Sequence, residues 1–385
     1  MRIVFLLSQS LDSPSGRGRY LPFAKGLADK GHSVHIVALH HDFEQVLNRQ
    51  YLMEGVHIHY VGQMHVRKVN DTTLYFSRLH LVWLVLTAIA KMTVTAIRLN
   101  PDIIHVGKPH PQNSISGLLT SLWCQAPLFV DCDDLESTSN YVTNLVEVTI
   151  LRLFDKVVPL MADGVTTHAE FLYRRLVRSG VCIGAIAKLP TAIDSNFFTP
   201  LASHTVQPWI QSLNLENKRV ILYIGTISLA NHPVDLLLQA FAIVHRYIED
   251  SLLLIVGGGK DLELLKKMAV DLAVDQDCLF TGRVPYELVP LFYNMADCTI
   301  DPVDADATAR ARWPLKIVES LACGTPVVTG DVGDRRVLVA DGAVGELVAP
   351  DNSEALADGI VRVFLRLPKR VQVSAACRRT TDVYA

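Results

Sequence analysis

The chain has 385 residues and 42.6 kDa, which suits two domains of about 100–200 residues each. Half of it is hydrophobic and 19% charged, which excludes intrinsic disorder and collagen-like repeats. With a net charge of −3 and a pI near 6.5, nothing global drives binding to nucleic acid or an anionic membrane, so affinity for phosphate must come from a local cluster.

Met1–Ser8 is too short for a signal-peptide apolar region and reads as a buried first strand, Arg2–Leu7. A Ser/Gly loop follows, then a helix near Tyr20–Lys30 closed by Gly31. Ser33–Leu39, His57–Val61, Asp102–Val106, Leu128–Asp131, Gly164–Thr166 and Ala187–Leu189 read as further short strands. Leu79–Ala90 is a twelve-residue apolar stretch, short of the ~20 residues that span a bilayer. It fits either a core helix or a membrane-facing amphipathic one. Pro200–Asn217, with Pro208 and few apolar runs, reads as an interdomain connection.

A second register begins near Arg219: strand Val220–Ile224, helix Pro233–Tyr247, and strand Leu252–Val256 running into Gly257-Gly258-Gly259. Strands Leu279–Thr281, Cys298–Asp301 and Pro326–Thr329 complete it. Apolar strands alternating with helices predict an α/β chain of two Rossmann-like, doubly wound domains facing a cleft, 1–200 and 201–370, with a tail, 371–385, crossing back toward the first. The seven cysteines are scattered, with no C-x-x-C pair, which disfavours a zinc ribbon or disulfide framework and fits a cytoplasmic location.

The most informative stretch is Arg310 to Thr329. Pro314 suits a first helical position and Gly324 a left-handed stop, so the helix should run from about Pro314 to Cys323. Its start carries Arg310, Arg312 and Lys316, although a helix amino terminus is already positive by roughly half a charge. Three cations there repel one another unless water screens them or a phosphate or diphosphate sits among them. Glu319, one turn beyond Lys316, offers acceptor-only oxygens to sugar or ribose hydroxyls, or else pairs with Lys316.

The run Lys316–Val328 resembles the carboxy-domain signature of the family-four (group 1) retaining glycosyltransferases, which have the GT-B fold. Tyr223–Thr226, His232–Phe241, Leu252–Gly259 and Phe280–Val284 extend the likeness over most of the second half; Pro101–His105 and Arg2–Tyr20 match more loosely. The resemblance implies sugar transfer, with retention, from a nucleotide-diphosphate donor (a UDP-, GDP- or ADP-sugar) to a glycan, lipid-linked or small-molecule acceptor, as in polysaccharide biosynthesis. Gly225, Thr226, His232, Gly257 and Gly258 would approach the donor, Arg283 and Val284 the base, and Arg312, Pro314, Leu315, Lys316 and Glu319 the diphosphate and ribose. The first domain would take the acceptor, with Ser15, Gly16, Arg17 and Gly18 near the sugar or diphosphate. The chain departs from the family where Ala311 replaces a first Glu, and where Thr226, Asn231 and His232 replace an Arg and a Lys. Catalytically weak binding subunits and nucleotide-sugar epimerases are therefore the alternatives.

Asp133, where many relatives carry a histidine, would contact the acceptor hydroxyl or serve as a weak base; a turn or cap at Asp134 is the bland reading. His105 ends a strand before Gly107-Lys108, so His105 and Lys108 either face the cleft or pack at its rim. Two Asp-x-Asp strings, Asp131–Asp133 and Asp304–Asp306, are expected by chance among 39 acidic residues, and no metal or cofactor is assigned. His57 and His59 lack a third ligand for zinc. No nucleic-acid partner is expected; peripheral contact with the inner face of a membrane is the one hint from Leu79–Ala90.

Overall fold

The computed structural model describes residues 1–13, 15–69, 72–135, 144–191, 193–230, 232–342, 344–366 and 377. It divides into two units, Met1–Ala192 and Ile193–Ala385.

In the first unit the strands are β1 (Arg2–Leu7), β2 (Ser33–His40), β3 (Gln50–Met53), β4 (Val56–Gln63), β5 (Val66–Val69), β6 (Thr72–Tyr75), β7 (Ile103–Gly107), β8 (Leu128–Cys132), β9 (Gly164–Thr167) and β10 (Ile186–Lys188). Eight form one sheet in the order β10-β9-β8-β7-β1-β2-β4-β3. All pairs are parallel except the edge pair β3–β4, and β5 and β6 make a separate hairpin. Central strands buried on both faces explain their continuous apolar runs. One sheet face packs the Leu21–Asp29 helix against Phe5, Leu7, Ile36 and Ile58. Helices Arg78–Leu99, Pro111–Cys124 and Leu145–Met161 pack on the other, over Val4, Leu6, Val106 and Val130.

The second unit has β11 (Arg219–Ile224), β12 (Ser251–Val256), β13 (Cys278–Gly282), β14 (Cys298–Asp301), β15 (Val327–Gly330) and β16 (Gly345–Val348), all parallel, in the order β13-β12-β11-β14-β15-β16. Counted within the unit this is 3-2-1-4-5-6, the dinucleotide-fold order, whose direction reverses between β11 and β14. Alternate residues of β11 and β12 face the two helical layers. Val220, Leu222 and Leu254 meet helices Val289–Met295 and Leu315–Ala322. Ile221, Leu253 and Ile255 meet Val234–Tyr247 and Ser353–Arg366.

Two sequence expectations are corrected here, and two others are followed into the structure. Gly16–Tyr20 is a wide helical turn running straight into the Leu21–Asp29 helix instead of a loop; Gly16 abuts the Ser10 carbonyl, where a Cβ would overlap it. Pro200–Asn217 holds a helix, Ser203–Ser212, whose Val206 enters the second unit's core, so it is no mere connector. Leu79–Ala90 belongs to a 22-residue helix that buries one apolar stripe and exposes another, in keeping with both readings given for it. Of the tail 371–385 only Cys377 is described, packed in the second unit's core; the crossing expected there otherwise lies outside the described residues.

Candidate functional site

The second unit's order reversal puts the ends of β11 and β14 side by side, and the polar residues collect there. Gly225 follows β11 and Gly257 follows β12, both at positive φ, 150° and 141°. A Cβ on Gly257 would overlap the Gly225 carbonyl oxygen, so these two loops need glycine to pack. Three backbone bonds (Gly225 N to Val256 O, Ile227 N to Gly258 O, Gly257 N to Gly282 O) carry the sheet's ladder into the loops. Tyr223 donates its hydroxyl to Thr226 O at 2.9 Å. Arg283 lies beside Gly258, and Val284 packs at the margin of the core.

Asp301, the last residue of β14, is buried and held by three groups. Arg335 Nε donates to it at 2.7 Å, Thr329 Oγ1 at 3.0 Å, and Lys316 Nζ stands 3.5 Å away. Although burial alone would raise it, the two cations bring its pKa down to about 2. Lys316 Nζ also lies 4.6 Å from the centre of the Tyr223 ring and beside Gly225. Burial pushes its pKa down despite Asp301. His232 is held neutral, its pKa lowered to about 3 by burial and by Lys316 and Arg312. Lys316, Arg312 and Arg335 disfavour the charged imidazole, and Asp301 favours it. Asn231 lies outside the described residues.

The helix after this cluster runs Leu315–Ala322 with Pro314 as its N-cap. Arg310 is not at its start. It closes a separate short helix, Ala307–Ala311, where a cation meets the negative helix end and is stabilised. The expected repulsion of three cations at one helix start is corrected on this point: Arg312 and Lys316 remain there, and Lys316 finds Asp301. Glu319 takes a hydrogen bond from Tyr293 at 2.8 Å, while Lys316 turns to Asp301 instead of pairing with it. Burial raises the Glu319 pKa to about 7.

In the first unit the corresponding reversal lies between β1 and β7. Ser8 and Asn113 share a hydrogen bond there, Ser8 Oγ lies 2.7 Å from His110 Nδ1, and Asn113 also donates to Gly107 O. Lys108, at φ 64°, is buried with Nζ 3.8 Å from Asp133 and 3.9 Å from Asp134. Burial, with Asp131 adding repulsion, raises the Asp133 pKa to about 7 against the pull of Lys108. Asp131 is clamped by Arg19 through two bonds, 2.6 and 2.7 Å, and by Thr166 at 2.6 Å. Arg19 reaches on to Leu189 O and Thr191.

His105 is corrected as a site residue. It is the register partner of Phe5, so strand alternation turns it into the same layer, 4.7 Å from the Phe5 ring and 5.3 Å from Phe23. Burial keeps it neutral, with a pKa near 4. Ser15 precedes, and Gly16, Arg17 and Gly18 open, the helical turn that contains Arg19, whose guanidinium clamps Asp131. Both Asp-x-Asp strings are otherwise engaged: Asp131 by Arg19, and Asp306 as cap of Ala309 N. Sequence reasoning missed Asp301, Arg335 and Tyr293; only Asp301, a carboxylate ending a correctly read strand, carried a signal.

Residues 206–380 match the model for glycosyl transferases group 1. Through this part, a little under half of its length, the chain is similar to the group 1 glycosyl transferases. Among curated relatives, it is 29% identical over 201 residues to a GDP-mannose-dependent alpha-(1-6)-phosphatidylinositol monomannoside mannosyltransferase of Mycolicibacterium smegmatis, covering 52% of each chain. It is 30% identical over 197 residues to a D-inositol 3-phosphate glycosyltransferase of Corynebacterium urealyticum, covering 49% of this chain and 45% of the relative. These matches span about half the length of each relative. Two solved structures share the architecture along nearly the whole chain. Anabaena Alr3699/HepE in complex with UDP-glucose gives a TM-score of 0.76 at 17% identity, covering 100% of this chain and 95% of that one. WaaG, a glycosyltransferase involved in lipopolysaccharide biosynthesis, gives 0.71 at 15%, covering 99% and 96%. The two Rossmann-like sheets give this chain the GT-B fold.

Proposed function

We propose that this protein is a retaining glycosyltransferase that moves a sugar from a nucleotide-diphosphate donor to an acceptor hydroxyl, in the cytoplasm and with peripheral contact at the inner membrane face. The observation that carries it is the gathering of basic groups at the β11–β14 reversal. Lys316, Arg312 and Arg335 all act on the neutral His232, and Lys316 stands beside Asp301 and close-packed glycine backbone. A diphosphate is stabilised among such cations. GDP-mannose, on which one curated relative depends, and UDP-glucose, bound in one of the similar structures, are of this class.

On this reading unit 2 holds the donor. Gly225–Thr226 and Gly257–Gly258 approach it, Arg283 and Val284 meet the base, and Pro314–Leu315 lead Arg312 and Lys316 to the phosphates. Glu319, one oxygen held by Tyr293, offers the other to a hydroxyl. Unit 1 takes the acceptor, with Asp133 and Lys108 at its β-strand ends. The bond from the anomeric carbon to the phosphate oxygen breaks while that to the acceptor oxygen forms on the same face. The acceptor proton passes to the departing phosphate oxygen, so no enzyme nucleophile is needed. Lys316 and Arg312 stabilise the charge that develops on the diphosphate.

The test incubates the full chain with UDP-, GDP- and ADP-sugars, with and without candidate acceptors, and follows nucleotide release and product configuration by NMR. Acceptor-dependent release with retained configuration supports the proposal. Nucleotide binding with no release identifies a binding subunit, and isomerised sugar without acceptor identifies an epimerase.

A further inference from the structure

The Arg78–Leu99 helix carries two apolar stripes. Leu84, Ala88, Met92 and Ala96, four residues apart, enter the unit 1 core. On the opposite side Leu79, Val82, Trp83, Leu86 and Val94 face solvent, Leu79 with 86% of its surface exposed. The neighbouring Pro111–Cys124 helix, tied to it by Ser116 Oγ donating to Ile89 O at 3.2 Å, adds exposed Leu122 and Trp123. Beside that helix, Leu145–Met161 adds Leu145, Ile150, Leu153 and Val157. These helices lie on one face of one sheet, so the exposed side chains form a shared apolar surface, far more than isolated surface leucines.

The charges decide what covers it. The three helices carry Arg78, Lys91, Arg98, Arg152 and Lys156 against Glu147 and Asp155, a net of +3 in a chain whose net charge is −3. On a helical projection Arg152 and Lys156 flank the exposed stripe of their helix, and Lys91 and Arg98 flank that of theirs. Apolar side chains with two tryptophans, edged by cations, match the boundary between acyl chains and anionic headgroups. The Arg78–Leu99 helix is long and apolar enough to cross a bilayer, with mean hydropathy 1.7 over its best 18 residues. Its inward stripe, however, is part of the protein core, which leaves only the outer stripe for lipid.

We propose that this three-helix face of unit 1 is a docking surface for a bilayer with anionic lipid headgroups, the unit lying on the membrane and not spanning it. The proposal deepens the membrane-contact part of the reading above and needs neither donor nor acceptor, so it fails or stands separately from sugar transfer.

The test is flotation of the full chain with vesicles of phosphatidylcholine and phosphatidylglycerol, 70:30 or so, against vesicles of pure phosphatidylcholine. The expected result is binding to the anionic vesicles with a partition coefficient about tenfold or more above that on neutral ones. The double variants Trp83→Ser/Leu86→Ser and Arg152→Gln/Lys156→Gln should each lower it about tenfold, with unchanged thermal unfolding because all four side chains are exposed. No flotation, or flotation untouched by both variants, overturns the proposal. So does a concentration-dependent dimer that Trp83→Ser/Leu86→Ser abolishes while vesicles go unbound, since the occupant is then a second copy of this chain.

Discussion

Replacing Lys316 by Met separates the two roles that its position allows. The side chain keeps its length and apolar stem but loses its charge. Nζ stands 3.5 Å from Asp301, a gross attraction of about 5 kcal/mol at an effective dielectric near 20. Burial nevertheless pushes the ammonium pKa down, and nearby Arg335 and Arg312 oppose the charge, so desolvation offsets that attraction. Asp301 keeps its closer partner Arg335 at 2.7 Å. Folding stability in Lys316→Met should therefore stay within about 1 kcal/mol of the parent or rise. Transfer should suffer far more. If Nζ meets the departing diphosphate, its loss costs about 3–4 kcal/mol, a 10²–10³-fold fall in kcat/KM. The assay is initial-rate nucleotide release with the preferred donor and acceptor, beside thermal melting of both proteins. A folded variant with kcat/KM within about threefold of the parent would refute the assigned phosphate contact.

Arg335→Met should behave in the opposite way. It leaves buried Asp301 with the Thr329 hydroxyl and, as its nearest cation, the more distant Lys316, and strips the Ala309 and Val332 carbonyls of a donor, so a loss of about 3–5 kcal/mol is expected in urea unfolding. A loss under about 1 kcal/mol would contradict the clamp. Glu319 supplies a pH signature. Its folded pKa, about 7, lies above the ordinary 4.5, so the folded state holds the proton more tightly. The stability this contributes is full below about pH 4 and is lost as pH rises through 7. Glu319→Gln should match the parent near pH 5 and exceed it at pH 8 by up to about 3 kcal/mol, seen as melting temperatures that diverge with pH. A constant offset from pH 5 to 8 would mean that the carboxyl is already ionised.

The strands were legible because a parallel sheet covered on both faces demands continuous apolar runs. Cys298–Asp301 and the Leu315–Ala322 helix therefore fall within a residue or two of their expected bounds. Lys316 and Glu319 were legible as polar groups on an otherwise apolar helix. Their partners were not. Asp301, Arg335 and Tyr293 arrive from separate turns of the chain, and only the strand order brings them together. His105 was misread for a related reason. Its neighbours Gly107 and Lys108 suggested a strand-end group, but the face a strand residue takes follows from its register with Phe5. The Arg78–Leu99 helix shows a further limit: a segment apolar all round does not say which side the protein covers.

The Arg19 clamp bears on how the chain is made. Its guanidinium binds partners 112 and 172 residues further along, at Asp131 and Thr191. At about 5–20 residues per second those partners emerge roughly 6–34 s after Arg19 itself. Until then the amino-terminal turn carries a cation without these two partners. A shortened version of unit 1 that stops before Thr191 keeps the Asp131 pair but lacks the Thr191 contact that completes it.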